Sequence, residues 1–101
     1  MSCIFCRIIN REIPSDIVFE NDKVLAFKDI NPEMPIHYLI VPKEHIESIK
    51  SPGSEEVVSD LILAAKEISK EKGINGYKLT FNVGREGGQI IGHLHMHFLA
   101  K

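Results

Sequence analysis

The chain has 101 residues, 12 of them basic and 14 acidic, and 44% of it is hydrophobic. That length suits one domain and excludes a second folded one, the apolar share argues against disorder, and a formal charge of −2 gives no general attraction to nucleic acid or an anionic membrane. Two cysteines rule out a disulfide-rich scaffold, whereas five histidines are many for so short a chain.

The opening Met1-Ser2-Cys3-Ile4-Phe5-Cys6-Arg7 lacks the basic start and long apolar stretch of a signal peptide. No apolar run approaches the roughly 20 residues that span a bilayer, and Ser2 in place of glycine excludes N-myristoylation. A reducing cytoplasm is the expected location. There, Cys3-x-x-Cys6 reads as a metal or redox pair rather than a structural disulfide.

Residues 3–11 predict a short helix with Ile4 and Ile8 on one side and Phe5 beside them, ended by the turn at Pro14-Ser15. Residues 17–20 and 23–27 read as two strands joined at Asn21-Asp22, a sequence suited to a tight hairpin. Pro32 and Pro35 make the next stretch a loop. Residues 37–41 form a buried strand that Pro42 stops. The long helix has two candidate starts, Ser51-Pro52 and Ser54 before Glu55-Glu56. Its apolar face is Val57, Val58, Leu61, Ile62, Ala65 and Ile68, and Gly73 supplies a left-handed exit. Residues 77–81 and 93–99 are the last two strands, separated by a glycine-rich connector over residues 84–89. Five strands with hairpin-style connections and one main helix imply an α+β domain over residues 1–101 with a mostly antiparallel sheet.

The last strand carries the chemistry. His93-Leu94-His95-Met96-His97-Phe98-Leu99 alternates strictly, so three imidazoles share one face and the apolar side chains share the other. Neighbouring imidazoles start about 6.5–7 Å apart at the backbone, so two can converge on one metal or phosphate but three on a single metal is awkward. One or two histidines on a strand are usually ordinary solvated residues. Three in alternation are not, because histidine is neither a favoured strand former nor common. Imidazole is a nucleophile and an acid/base near neutral pH, which leaves phosphoryl chemistry and metal binding as the functional options.

This heptapeptide resembles the signature of the histidine triad superfamily, and the likeness runs along nearly the whole chain. It includes Cys3–Ile9, Ile13-Pro14, residues 25–30, residues 37–46 and Gly87-Gly88-Gln89 in family order. The sequence is most similar to the nucleotide-binding branch, whose members are homodimeric nucleoside phosphoramidases. The resemblance implies that His95 attacks the α-phosphorus of a purine nucleotide conjugate, such as a conjugate of AMP, to give a nucleotidyl-histidine that water hydrolyses. It implies that His97 hydrogen-bonds the phosphate and helps protonate the leaving amine, with His37 as a partner behind the triad. Asp29 then binds the ribose hydroxyls, and Phe5, Ile8, Phe27, Ile30 and Leu39 surround the purine. Asn82, Gly88 and Gln89 cradle the phosphate. Without the resemblance, Asp29 is a turn residue, the apolar five are core, and His37 is a satisfied core histidine.

In bacterial-type members a structural zinc completes a Cys₂His₂ set, which here would be Cys3, Cys6, His45 and His93. Four protein ligands close the shell and leave no open position for water. The chemistry itself then needs no metal. The branch also implies a dimer with one continuous ten-stranded sheet, formed through the long helix and residues 77–82. Two positions depart from the family pattern. Ile90 stands where a small hydroxyl residue is common, and the triad strand runs only to Ala100-Lys101 where family members usually continue into a tail on the leaving-group side. A dinucleoside polyphosphate hydrolase and a nucleotide-binding module with little turnover are the competing expectations.

Overall fold

Period-two patterning makes a sheet with two apolar faces, and each face needs a helix to cover it. The computed structural model describes residues 3–101. It has α1 (Ile4–Ile9), β1 (Ile17–Glu20), β2 (Val24–Lys28), β3 (Ile36–Pro42), α2 (Ser54–Lys72), β4 (Lys78–Thr80), a short 3₁₀ turn (Arg85–Gly87) and β5 (Met96–Ala100). The strands lie in the order β1-β2-β3-β5-β4, and every neighbouring pair is antiparallel. The expected α+β class and five-stranded antiparallel sheet are what the chain forms.

The register sorts the side chains. Leu39 pairs with His97 and with Phe27, while Tyr38 pairs with Phe98 and Ile40 with Met96. One face therefore carries Tyr38, Ile40, Met96 and Phe98, with Leu94 from just before β5, and packs under Leu61, Ala64, Ala65 and Ile68 of α2. Met96 and Phe98 are fully buried there, each contributing about 1.5–3 kcal/mol of apolar transfer free energy. Phe98 is sandwiched between Tyr38 and Tyr77, with ring centroids 5.6 and 4.5 Å away. The opposite face carries Leu25, Phe27, Leu39 and Val41 and is covered by Phe5 and Ile8 of α1. The imidazoles stand on this second face.

Several expected boundaries move, each for a local reason. Asn21 makes a three-residue connection rather than a two-residue turn, because its side-chain oxygen accepts the N–H groups of both Lys23 and Val24. The long helix starts at Ser54 behind a left-handed Gly53, not at Ser51-Pro52, and Ser54 Oγ donates to the Ile49 carbonyl instead of capping its own helix. Its C-terminal exit is Gly73 at φ 66°, as the sequence predicts. Ile62 turns outward and Ala64 takes its place in the core. On α1 it is Phe5 and Ile8 that are buried, while Ile4 is exposed.

Regular pairing in the last strand begins at Met96, opposite Ile40, rather than at His93. The residues before it spend their hydrogen bonds elsewhere: the Leu94 N–H donates to the Ile46 carbonyl, and the His93 carbonyl accepts from the side chain of His95. The alternation of faces survives this loss of pairing. Leu94 still joins the α2 side, and His93 and His95 still meet Phe5 of α1.

Candidate active site and metal centre

Each imidazole of the triad has one nitrogen fixed by a neighbouring group, and that contact dictates what the other nitrogen can do. His95 Nδ1 lies 2.8 Å from the carbonyl oxygen of His93. A carbonyl only accepts, so Nδ1 carries a proton, and in the neutral tautomer the lone pair is on Nε2. His95 is buried, and Phe5 packs edge-on against it at 5.2 Å between centroids. The contact thus fixes the ring orientation and directs Nε2 away from the His93 carbonyl.

His97 is fixed in the opposite sense through a neighbour. The backbone N–H of Glu33 donates to His37 Nδ1 at 3.0 Å, which puts the proton of a neutral His37 on Nε2. That Nε2–H lies 2.9 Å from His97 Nδ1, one of two acceptors within its reach. When His97 accepts it, the proton of a neutral His97 is confined to Nε2, as a donor. Burial, followed by the neighbouring His95 and His37, pushes the pKa of His97 down, while Asp29 and Glu33 oppose the shift. The ring is thereby favoured in its neutral form. The His95 and His97 rings stand 5.2 Å apart, so a lone pair and an N–H donor are presented side by side. An in-line displacement at phosphorus needs that pairing: a nucleophile and a donor for the phosphoryl oxygens.

Asp29 closes this end of the site. Its Oδ1 accepts the Asn31 N–H at 2.8 Å, and its Oδ2 lies 3.3 Å from His37 Nε2. Phe5, Ile8, Phe27 and Leu39 are brought together as expected, with ring centroids of Phe5 and Phe27 5.6 Å apart. Ile30 is not among them. It is 91% exposed, on the loop that follows β2. Leu25 and Val41 join the same cluster, two residues from Phe27 and Leu39 on the same strand faces, so the period of two is the signal that finds them.

The side chains expected at the phosphate cradle are occupied in building the loop. Asn82 Nδ2 donates to the Gly87 carbonyl, and Gln89 accepts from the Gly84 N–H while donating to the carbonyls of Glu47 and Ile91. Gly88 sits at φ 90°, a left-handed conformation that favours glycine. Ile90, just beyond, is 93% exposed.

At the other end of the triad, His93 Nε2–H donates to the Pro42 carbonyl at 2.9 Å, so its Nδ1 carries the free lone pair. That Nδ1 lies 3.3 Å from Cys3 Sγ, 3.6 Å from Cys6 Sγ and 3.1 Å from His45 Nδ1, and Cys6 Sγ is 3.2 Å from His45 Nδ1. All four donor atoms fall within 4.8 Å of one another. Tetrahedral bonds of about 2.3 Å to sulfur and about 2.0–2.1 Å to nitrogen would put S···N pairs about 3.6 Å and N···N pairs about 3.3 Å apart. The residues fit a metal ion. Both cysteines are free thiols, which the same reading requires.

Known proteins similar to this chain give its family. The family model described as scavenger mRNA decapping enzyme C-term binding matches residues 2–101. A purine nucleoside phosphoramidase of Escherichia coli (strain K12) is 45% identical over 100 residues, covering 95% of this chain and 84% of that one. The chain belongs to the histidine triad superfamily. Among solved structures, a histidine triad protein from Clostridium difficile superposes with a TM-score of 0.95 at 47% identity, covering all of this chain and 91% of the other. A HIT family hydrolase from Legionella pneumophila Philadelphia 1 gives a TM-score of 0.91 at 41% identity, covering 98% of this chain and 92% of its own.

Two parts of this histidine triad site have no side-chain signal in the sequence. They are the Glu33 N–H, which sets the tautomer of His37, and the Pro42 carbonyl, which sets that of His93. Backbone groups leave no trace in residue identity. Among the described residues, no helix is long and apolar enough to cross a membrane.

Proposed function

We propose that this chain, acting as one domain over residues 1–101, is a nucleotide hydrolase that cleaves purine nucleoside phosphoramidates or related adenylated conjugates. The observation that carries the reading is the His95 Nδ1–H bond to the His93 carbonyl, which frees Nε2 to attack the α-phosphorus. The bond from phosphorus to the leaving nitrogen breaks as the bond to His95 Nε2 forms, and water later displaces His95 to release AMP. His97 serves this displacement as a hydrogen-bond donor from Nε2–H to a phosphoryl oxygen, a form of electrostatic stabilisation. Outright loss of that proton from a neutral ring would create an imidazolate, so the leaving amine draws its proton from solvent. Phe5, Ile8, Phe27 and Leu39 form the floor for the purine, and Asp29 receives the ribose hydroxyls. Ile30 would join only from the outer rim. Gly88 and its neighbours line the phosphate, with Asn82 and Gln89 holding the loop in shape.

The metal is zinc in a structural role, held by Cys3, Cys6, His45 and His93. When bound, the ion supplies a cross-link from α1 to the residues before β5, and the chain's own His93 carbonyl then orients His95. A homodimer through α2 and the β4 region, with a continuous sheet, and a cytoplasmic location complete the proposal.

Trapping tests it. The protein incubated with adenosine 5′-phosphoramidate and quenched early should carry an added AMP mass on the peptide containing His95, absent in His95→Ala. Tight AMP binding with neither adduct nor turnover would point instead to a binding module. Faster cleavage of a dinucleoside polyphosphate would move the substrate to anhydrides.

A further inference from the structure

The Nε2–H of His37 faces two acceptors and can satisfy only one of them well. His97 Nδ1 is 2.9 Å away, and Asp29 Oδ2 is 3.3 Å away. The choice matters because Glu33 holds His37 Nδ1 as an acceptor, so a neutral His37 has no second N–H to offer. When the proton points to His97, the proton of His97 is confined to Nε2, facing the reacting phosphate. When it points to Asp29, His97 Nδ1 loses its donor and the tautomer of His97 is no longer fixed.

We infer that Asp29 is a positioning residue as well as a ribose ligand, and that ribose hydroxyls bound at its carboxylate release the His37 proton to His97. This rests on the proposed nucleotide reading of the site. The carboxylate is well placed to be switched in this way. Its Oδ1 is committed to the Asn31 N–H at 2.8 Å, which leaves Oδ2 as the atom for which ribose and His37 compete. A hydroxyl donating to Oδ2 satisfies that oxygen and weakens its hold on the His37 N–H. Recognition of the sugar and readiness of the phosphate donor thus share one proton. His37 has a side chain that is 1% exposed, so water does not substitute for either acceptor.

The test compares adenosine 5′-phosphoramidate with its 2′,3′-dideoxy analogue in the wild type and in Asp29→Asn. In the wild type, loss of the diol should lower kcat by about tenfold or more, a fraction of what a full donor contributes, in addition to raising KM. Asp29→Asn keeps an oxygen for the Asn31 N–H but sets an NH₂ group opposite His37, so the His37 proton has His97 as its one acceptor. In that variant kcat should become insensitive to the diol, while KM for the ribonucleotide rises. A diol effect confined to KM, or an equal kcat loss in both proteins, would overturn the inference. A second readout needs no turnover. The ¹⁵N shifts of the His97 ring should report the Nε2–H tautomer more fully with AMP than with 2′,3′-dideoxy-AMP, and identical shifts would refute the coupling. Absence of hydrolysis with either substrate, together with AMP-dependent tautomer fixation, would remove the enzymatic reading and leave the coupling standing.

Discussion

The two ends of the triad use the same residue type on the same face to opposite effect. At the His93 end a backbone carbonyl takes the ring proton, and the remaining lone pair points at two thiols and another imidazole. At the His97 end a backbone N–H sets the tautomer of His37, whose Nε2–H faces His97 Nδ1 and, when accepted there, leaves His97 with an N–H to offer. The first end suits a cation and the second an anion. His95, between them, is set by a carbonyl like His93 but opens toward the donor of His97. What separates the free lone pairs of His93 and His95 from the N–H of His97 is the group each ring meets, a main-chain carbonyl for the first two and the His37 ring for the third.

The contrast is broken most severely at the cation end. Cys6→Ser should remove a ligand that ties α1 to the triad, taking bound zinc from close to one per chain to well below it. The loss of the metal cross-link should cost about 3 kcal/mol, read as a fall in Tm of about 12–24 °C for a domain of this size. Metal content by mass spectrometry and a thermal melt check it. An unchanged zinc level would defeat the four-ligand assignment.

Breaking the anion end should leave the metal alone. His37→Ala removes the donor to His97 Nδ1 and should lower kcat for adenosine 5′-phosphoramidate by about 10²-fold, with zinc content close to wild type. If zinc falls in this variant, or kcat in a metal-loaded Cys6→Ser preparation drops as far, the two ends are not separate devices.

How far this division could be read from the sequence follows from which groups carry it. Strict alternation from His93 to Phe98 is enough to put the imidazoles opposite α2, and that holds even where the ladder has not begun, because Leu94 has only the apolar core to enter. The Cys3-x-x-Cys6 pair points to a metal or redox site by residue type, whereas His45 and His93 join it only through the family resemblance, and the fold brings all four together. Ile30 and Ile62 are apolar residues at plausible positions, yet loop path and helix rotation turn both to solvent. Asn82 and Gln89 are phosphate ligands only by the family resemblance, and here Asn82 Nδ2 and the Gln89 amide bond within the loop that they shape. The tautomers of His37 and His93 were beyond reach altogether, because a main-chain N–H and a main-chain carbonyl set them and any residue supplies those.

The smallest expected effect sharpens the comparison through pH. His97 is pushed below the usual histidine range, first by burial and then by His95 and His37, against the pull of Asp29 and Glu33. A depressed histidine favours folding while both states are neutral, so its contribution is complete above the unfolded value of about 6.5. It is lost as pH falls through that value toward the lower folded pKa, because the unfolded chain takes up a proton that the native ring refuses. Melts at pH 7.5 and 5.5, with zinc at fixed excess, should therefore show Tm dropping by a few degrees on acidification. His97→Gln, which cannot titrate, should flatten that dependence and retain more of its stability at the lower pH. Were the variant to lose as much on acidification as the wild type, the ring would be charged in the fold, and His97 would enter the reaction as an imidazolium able to give up its proton.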